Sequence, residues 1–301
     1  MSLGALEKPL LAGDGRALAK WISAAENRDP AVWELLARQY DRLGKASVLG
    51  VTGPPGAGKS TLIGLLVERL RKEGQKVGVL AVDPISPFSD GALLGDRIRL
   101  SNHFNDMGVF IRSVSTRGRL GGLSIATREA VHLMDLAGFD SILLETVGVG
   151  QSEVDVRRIA DATMVVLVPE SGDGIQVLKA GVLEIGDVLV VNKSDRERAS
   201  ELTLALKEMV SLSKRPQVPV VGTSQGDVKS IDDLFLVIQN QLTRLKAARR
   251  ADRGAFERTE LVESWVLGEV RRWLGTVVED AANPYDFAMR FIKAWTPPRW
   301  K

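Results

Sequence analysis

From Ser47 onward, short runs of valine, isoleucine and leucine alternate with stretches whose apolar residues recur every three or four positions. The continuous runs are typical of strands buried on both faces of a parallel sheet, and the longer spacing is typical of amphipathic helices. We predict strands at 48–52, 77–82, 109–111, 142–145, 164–168, 188–191 and 218–221, and helices at 60–73, 123–137, 174–184, 200–212 and 231–246. This alternation predicts an α/β fold with a doubly wound, mostly parallel sheet.

Helical patterns flank this region on both sides. Residues 14–44 carry apolar positions at helical spacing, and Asp29 followed by Pro30 predicts a helix cap and first turn. We predict three regions: a helical N-terminal extension at 1–46, an α/β domain at 47–246, and a helical C-terminal extension at 247–301.

The charged segment 246–254 predicts the end of one helix and a break before another. In the second helix the apolar arc is wider than a single packing contact needs. Its members are Val262, Val266, Val270, Trp273 and Val277, with Leu267, Leu274 and Val278 beside them. The arc can pack on a second subunit or entirely within its own chain, and the pattern leaves both open.

Composition narrows the possible classes of protein. The 301 residues are 45% hydrophobic and 26% charged, with a net charge of +2, so we expect no nucleic-acid partner. The absence of cysteine excludes disulfides, thiolate metal sites and cysteine nucleophiles. Apolar runs are too short to span a bilayer, and the N-terminus lacks the apolar core of a signal peptide. We therefore expect a cytoplasmic protein without a membrane partner.

The most informative stretch is Gly53-Pro54-Pro55-Gly56-Ala57-Gly58-Lys59-Ser60-Thr61, between a predicted strand and a predicted helix. This is the order that a phosphate-binding loop requires. Glycines let successive backbone N–H groups point at a polyphosphate, and the helix N-terminus adds a positive dipole end. Lys59 is predicted to reach the β- and γ-phosphates, and the hydroxyl of Ser60 to ligate magnesium.

A second motif, Asn192-Lys193-Ser194-Asp195, follows the strand predicted at 188–191. Guanine presents two adjacent donors that the carboxylate of Asp195 can accept, whereas adenine presents an acceptor at the ring position. Losing two charge-assisted bonds, worth about 1.5–3 kcal/mol each, would disfavour an adenine nucleotide about a hundredfold or more. The predicted ligand is therefore GTP or GDP, with Ser224 and Gln225 supporting the base from the next strand.

Carboxylates at other strand ends predict a magnesium site beside Ser60. Glu145 closes the strand at 142–145, and the N–H of Gly148 can sense the γ-phosphate. Asp83, at the end of the strand at 77–82, and Asp96, in the glycine-bearing loop 90–97, are further candidates because magnesium prefers oxygen ligands. Instead of binding metal, Asp83 can be a turn residue before Pro84, and Asp96 can be a helix cap.

The residues after Gly148 bear on the rate of hydrolysis. Ras-like enzymes place a water-positioning glutamine directly after this glycine. Here that place is Val149, and Gln151 comes two residues later. We predict slow intrinsic hydrolysis that a partner accelerates.

Taken together, these motifs resemble the MeaB/ArgK/MMAA group of P-loop GTPases, which is associated with adenosylcobalamin-dependent methylmalonyl-CoA mutase. The similarity runs from Arg16 to Leu242. The stretches that carry it include Val82-Asp83-Pro84, Leu94-Gly95-Asp96-Arg97, Thr116-Arg117-Gly118, the run ETVGVGQSE from Glu145 to Glu153, and Gly172-Asp173.

The resemblance implies a fold of P-loop GTPase type and a homodimeric GTPase chaperone that protects the mutase and gates loading of its cobalamin. It also implies Ser60, Asp83, Asp96 and Glu145 as the magnesium set, and a further switch at 171–187 whose Lys179 couples to the partner. The chain departs from the group's pattern at Ile85, Asp90, Glu170 and Gly186, all in or near presumed switch segments.

Two other functions remain compatible with these motifs. One is a kinase that transfers phosphate to a protein or transport component. The other is a GTPase that inserts nickel or cobalt into an enzyme, although the lack of cysteine and scarcity of histidine argue against it.

Overall fold

Seven parallel strands form one sheet within the residues that the computed structural model describes, which are 3–83, 103, 106–115, 122–146, 152–169 and 182–277. The strands are β1 (Ser47–Thr52), β2 (Val77–Asp83), β3 (Val109–Ser115), β4 (Ser141–Thr146), β5 (Ala162–Leu167), β6 (Val188–Asn192) and β7 (Val220–Thr223). The helices are α1 (Glu7–Leu11), α2 (Gly15–Glu26), α3 (Pro30–Arg38), α4 (Lys59–Lys72), α5 (Gly122–Leu136), α6 (Ser152–Ile159), α7 (Val182–Ile185), α8 (Ala199–Leu212) and α9 (Val228–Val277).

The order of the strands places β1 in the middle of the sheet. The order is β3-β2-β4-β1-β5-β6-β7, and every neighbouring pair is parallel. The chain moves from β1 to β2 on one side, and later crosses from β4 over β1 to β5 on the other. In open α/β sheets, ligands bind beyond the carboxyl ends of the strands where the order reverses. The loop after β1 lies at that point.

Helices bury apolar side chains on both faces of the sheet, as the doubly wound pattern predicts. On one face, α2 and α5 contribute fully buried side chains such as Trp21 and Leu133. On the other face, α4 and α9 contribute Ile63 and Leu234. The strands between them are apolar on both sides, and the predicted fold class is confirmed.

The N-terminal helices follow the predicted capping pattern. The carboxylate of Asp29 accepts a hydrogen bond from the backbone N–H of Ala31 at 3.0 Å, and Pro30 is the first residue of α3. Asp14 caps α2 in the same way through the N–H of Ala17 at 2.7 Å. A cap of this kind is worth about 1 kcal/mol to the helix.

The predicted break at 246–254 is wrong, because α9 is a continuous helix from Val228 to Val277. A single glycine such as Gly254 costs a helix interior only about 1 kcal/mol, which does not end it. Arg249 and Arg250 also hold this part of the helix by ion pairs with Asp187 and Asp161.

Several element boundaries also differ from the prediction. β7 covers Val220–Thr223 rather than 218–221, and β3 runs on to Ser115. Helix α6 was not predicted, since its eight residues are mostly charged and polar and lack a wide apolar stripe. Only the end of the helix predicted at 174–184 lies within the described residues, where α7 covers Val182–Ile185.

The chain divides into two compact units, residues 1–253 and residues 254–301. The first unit holds the sheet, and the described part of the second unit, 254–277, is helical. The predicted dimerisation role of the C-terminal extension stays a prediction. Over the described ranges, no helix is both long and apolar enough to cross a membrane.

Candidate functional site

The loop between β1 and α4 leaves no room for a side chain at two of its glycines, Gly53 and Gly58. Gly53 and Gly58 have φ angles of +141° and +87°. A Cβ atom on Gly53 would collide with the carbonyl oxygen of Val166, and one on Gly58 would collide with the side-chain amide of Asn192. The loop is therefore packed against β5 and β6 so closely that no side chain fits between them.

Lys59 is the first residue of α4, and its side chain folds back over the loop. Its Nζ donates to the carbonyl oxygens of Gly53 and Pro54 at 2.8 and 3.1 Å, and the residue is only 7% exposed. Gly58 offers no side chain to cap the helix, so the first-turn N–H groups, including those of Ser60 and Thr61, are available to an anion. A buried ammonium beside these groups is suited to bind a polyphosphate.

Ser60 and Glu145 meet at the carboxyl edge of the sheet. The hydroxyl of Ser60 donates to Oε1 of Glu145 at 2.8 Å, and the two residues are 5% and 4% exposed. Hydroxyl and carboxylate oxygens are ligands that magnesium prefers, so this pair fits the ion. Within the described residues, no group of three or more carboxylate or histidine side chains converges on one point.

Asn192 joins the end of β6 to the phosphate loop. Its Nδ2 donates to the carbonyl oxygen of Ala57 at 2.8 Å, and its Oδ1 accepts from the hydroxyl of Thr223 at 3.1 Å. All three residues are buried. Because the amide is held at both ends, the loops after β1, β6 and β7 form one connected unit.

Asp195 lies at the surface, in a turn that begins with the left-handed residue Lys193 at φ +57°. A hydrogen bond from the hydroxyl of Ser224 holds the pKa of Asp195 below its usual range, and the backbone N–H of Asp195 itself adds to this. The carboxylate is thus ionised at neutral pH, as recognition of two N–H donors requires. Lys193 Nζ also donates to the carbonyl oxygen of Gly56 at 3.2 Å, and Gln225 is exposed nearby in sequence.

Three of the predicted residues are not tested by these contacts. Asp83 ends β2, in register with Ser115 of β3, and its side chain is outside the described part of the structure. Gly148 and Asp96 lie outside the described residues, as do Lys179 and the departures at Ile85, Asp90 and Glu170. Their predicted roles stay predictions.

Two buried hydroxyl contacts near the phosphate loop were not predicted from the sequence. The hydroxyl of Thr223, at the end of β7, donates to Oδ1 of Asn192 at 3.1 Å. Thr52 and Thr146, at the ends of β1 and β4, form a buried hydroxyl pair at 3.0 Å that no motif predicted. A threonine at the end of an otherwise apolar strand was the available signal in both cases.

A central strand followed by a glycine-rich loop, a buried lysine and an asparagine that grips the loop defines a P-loop nucleotide-binding protein. The family model described as "Methylmalonyl Co-A mutase-associated GTPase MeaB" matches residues 18–273. The chain belongs to this family, and it is a GTPase.

Relatives and solved structures agree with this assignment. A putative GTPase of Pyrococcus horikoshii is 50% identical over 229 residues, covering 73% of this chain and 72% of the relative. A putative GTPase of Pyrococcus abyssi is 46% identical over 271 residues, covering 86% and 83%. The crystal structure of a LAO/AO transport system kinase superposes with a TM-score of 0.68 at 28% identity, covering 98% of this chain and 93% of that one.

Proposed function

We propose that this GTPase is a chaperone for an adenosylcobalamin-dependent acyl-CoA mutase of the methylmalonyl-CoA mutase type. In this role it protects the mutase and gates loading of its cobalamin. The observation that carries the proposal is the match over residues 18–273 to a family whose description names that mutase. A homodimer in the cytoplasm, formed through the C-terminal extension at 247–301, completes the proposal.

The phosphate loop binds the triphosphate and stabilises the charge that spreads over it during hydrolysis. Lys59, held over the loop by the carbonyls of Gly53 and Pro54, turns its ammonium toward the β- and γ-phosphates when they enter. The backbone N–H groups of Gly56, Ala57, Gly58 and the first turn of α4 surround the same charges. Catalysis here is mainly electrostatic, because the backbone of the loop and the N-terminus of α4 place positive charge around the phosphates.

Ser60 and Glu145 would hold magnesium, with Asp83 and Asp96 as further oxygen ligands. When bound, the ion neutralises phosphate charge and orients the scissile group. The hydroxyl of Ser60 and the carboxylate of Glu145, which contact each other at 2.8 Å, would supply oxygen ligands to the ion. The N–H of Gly148 senses the γ-phosphate and reports the nucleotide state to the switch segments.

Asp195 selects guanine, and Asn192 and Lys193 brace the loop that carries it. The carboxylate accepts the two adjacent N–H groups of the base, and Ser224 and Gln225 complete the pocket. Because Asn192 also grips Ala57, occupation of the base pocket and of the phosphate loop support each other. Intrinsic hydrolysis is slow, since Val149 stands where a water-positioning glutamine would, and the partner accelerates it.

The test is a GTPase assay with and without a methylmalonyl-CoA mutase, run beside a pulldown with apo- and cobalamin-loaded mutase. The chaperone proposal predicts binding, faster hydrolysis, and release of inorganic phosphate only. K59A serves as the nucleotide-deficient control. Failure to bind any cobalamin mutase, with turnover unchanged, contradicts the proposal while leaving the GTPase assignment intact. Labelled phosphate on a protein acceptor would instead favour a kinase.

A further inference from the structure

A pair of buried hydroxyl groups lies where β1 and β4 separate. The backbone register between the two strands ends at Val51 and Glu145. The next residue in each strand is a threonine, and Thr146 Oγ1 donates to Thr52 Oγ1 at 3.0 Å. Both threonines are 0% exposed. The hydroxyl bond therefore extends the contact between the strands by one residue beyond their last paired position.

Each threonine is the neighbour in sequence of a residue at the hydrolysis site. Thr52 precedes Gly53, whose carbonyl oxygen accepts from Lys59 at 2.8 Å. Thr146 follows Glu145, which accepts from Ser60 at 2.8 Å. Side chains alternate along a strand, so Thr146 faces the side of the sheet opposite Glu145 and α4. The two hydroxyls thus act through their neighbours and not by touching nucleotide or metal.

Packing alone does not account for two threonines at these positions. A buried hydroxyl is unfavourable unless it is hydrogen-bonded, and valine has nearly the same shape. The rest of both strands is largely apolar, so two valines would fill the same space. With one threonine replaced, the remaining hydroxyl loses the partner that holds the strand ends together.

We propose that Thr52 and Thr146 are positioning residues that fix the distance between the phosphate loop and the Glu145 segment. This hydroxyl bridge between Thr52 and Thr146 keeps Lys59 and Glu145 at the separation that hydrolysis needs. The inference rests on the proposed role of Glu145 as a magnesium ligand. A small misplacement of a catalytic group lowers the rate far more than it weakens substrate binding. The bridge therefore governs kcat and the magnesium requirement more than the affinity for GTP.

Thr163 provides a matched control. It lies in β5, the other neighbour of β1, is 0% exposed, and among the described residues its Oγ1 has no hydrogen-bond partner. T163V removes a buried hydroxyl from the same sheet without breaking a bond. T146S keeps the hydroxyl at the bridge and serves as the rescue variant.

The experiment compares T52V, T146V, the double variant T52V/T146V, T146S, T163V and E145Q. Steady-state hydrolysis gives kcat and KM, and release of a fluorescent GDP analogue against magnesium concentration gives the metal requirement without turnover. Urea denaturation establishes that each variant is folded. We expect T52V and T146V each to lower kcat about tenfold and to raise the magnesium requirement about tenfold, with KM changed less than about twofold.

The test of the inference is whether the effects of T52V and T146V on kcat and on the magnesium requirement are coupled. Because the two hydroxyls act as one unit, the double variant should lose no more than either single variant. T146S should recover kcat to within about twofold, and T163V should match the unmodified protein. A double variant with unchanged kcat and magnesium requirement overturns the inference, and so does a double variant whose losses multiply.

E145Q separates this inference from the proposed metal role. If E145Q leaves the magnesium requirement unchanged, the assignment of Glu145 as a ligand fails, and the bridge built on it fails too. If E145Q disturbs the magnesium requirement while T52V/T146V does not, the metal role stands and only the bridge is overturned.

Discussion

Arg249 and Asp187 form a buried ion pair at the amino edge of the sheet, opposite the phosphate loop. Nη2 of the arginine lies 2.7 and 2.6 Å from the two carboxylate oxygens, and the side chain of Asp187 is 0% exposed. The same carboxylate accepts from Arg215 and from the backbone N–H of Thr163. One aspartate thus holds α9, the segment after α8 and the start of β5 together.

Removing this carboxylate should destabilise the folded chain strongly. D187N leaves two arginines without their anion, and breaking a buried ion pair costs about 3–5 kcal/mol of unfolding free energy. Urea denaturation measures the loss. D233N is the matched control, because Asp233 pairs with Lys229 in an exposed i,i+4 bridge worth at most about 0.5 kcal/mol. Equal losses in the two variants would contradict this account of α9.

Glu129 should make stability depend on pH near neutrality. Burial raises its pKa from 4.5 to about 7, although the hydrogen bond from Trp33 and the charges of Arg28 and Arg128 oppose this rise. The folded chain therefore holds a proton that the unfolded chain releases. The protonated Glu129 therefore contributes to the free energy of unfolding. This contribution is fully present below pH 4.5 and is lost as the pH rises through 7, and it amounts to about 3 kcal/mol at most.

The variant E129Q should flatten that pH profile between 5 and 8, while E73Q, at an exposed site, should leave it as it is. Chemical denaturation at a series of pH values measures both. A profile that keeps its slope in E129Q would show that another group is responsible.

Lys59 should be required for nucleotide binding. K59A removes the buried ammonium that lies over the loop at 53–54, so we expect the affinity for GTP to fall about a hundredfold or more, and hydrolysis to be lost. K72A, at the exposed end of the same helix α4, is the control and should bind normally. Calorimetry with GTP distinguishes the two. Undiminished binding by K59A would remove the phosphate-loop assignment.

Asp195 should determine which base is accepted. D195N replaces an acceptor with an amide that can also donate, which suits xanthine because it carries a carbonyl where guanine carries an amine. We expect GTP affinity to fall about a hundredfold and xanthosine triphosphate to bind better than GTP. E197Q, an exposed neighbour, should keep the preference for GTP. A D195N variant that still prefers GTP would place base recognition elsewhere.

The sequence predicted the sheet and the phosphate loop because both depend on local pattern. Continuous apolar runs and a glycine-rich turn before Lys59 are visible in neighbouring residues. Contacts between residues that are distant in the sequence cannot be predicted from such local patterns. The bonds of Asn192 to Ala57 and of Thr146 to Thr52 depend on strand order, which periodicity does not specify.

The continuity of α9 escaped prediction for the same physical reason. Residues 246–254 are charged, which locally resembles a solvated helix end. Their partners, Asp187 and Asp161, lie far away in the sequence and become neighbours only when the strands align. A cluster of charged residues therefore predicts an exposed segment when the carboxylates that pair with it are distant in the sequence.

Calorimetric titration of the whole chain with GDP and ADP in magnesium buffer tests the central claim most directly, that the loop at 53–61 holds the phosphates while Asp195 reads guanine. The account predicts that GDP binds at least about a hundredfold more tightly than ADP. Equal or tighter binding of ADP, with the protein folded and magnesium present, would contradict it.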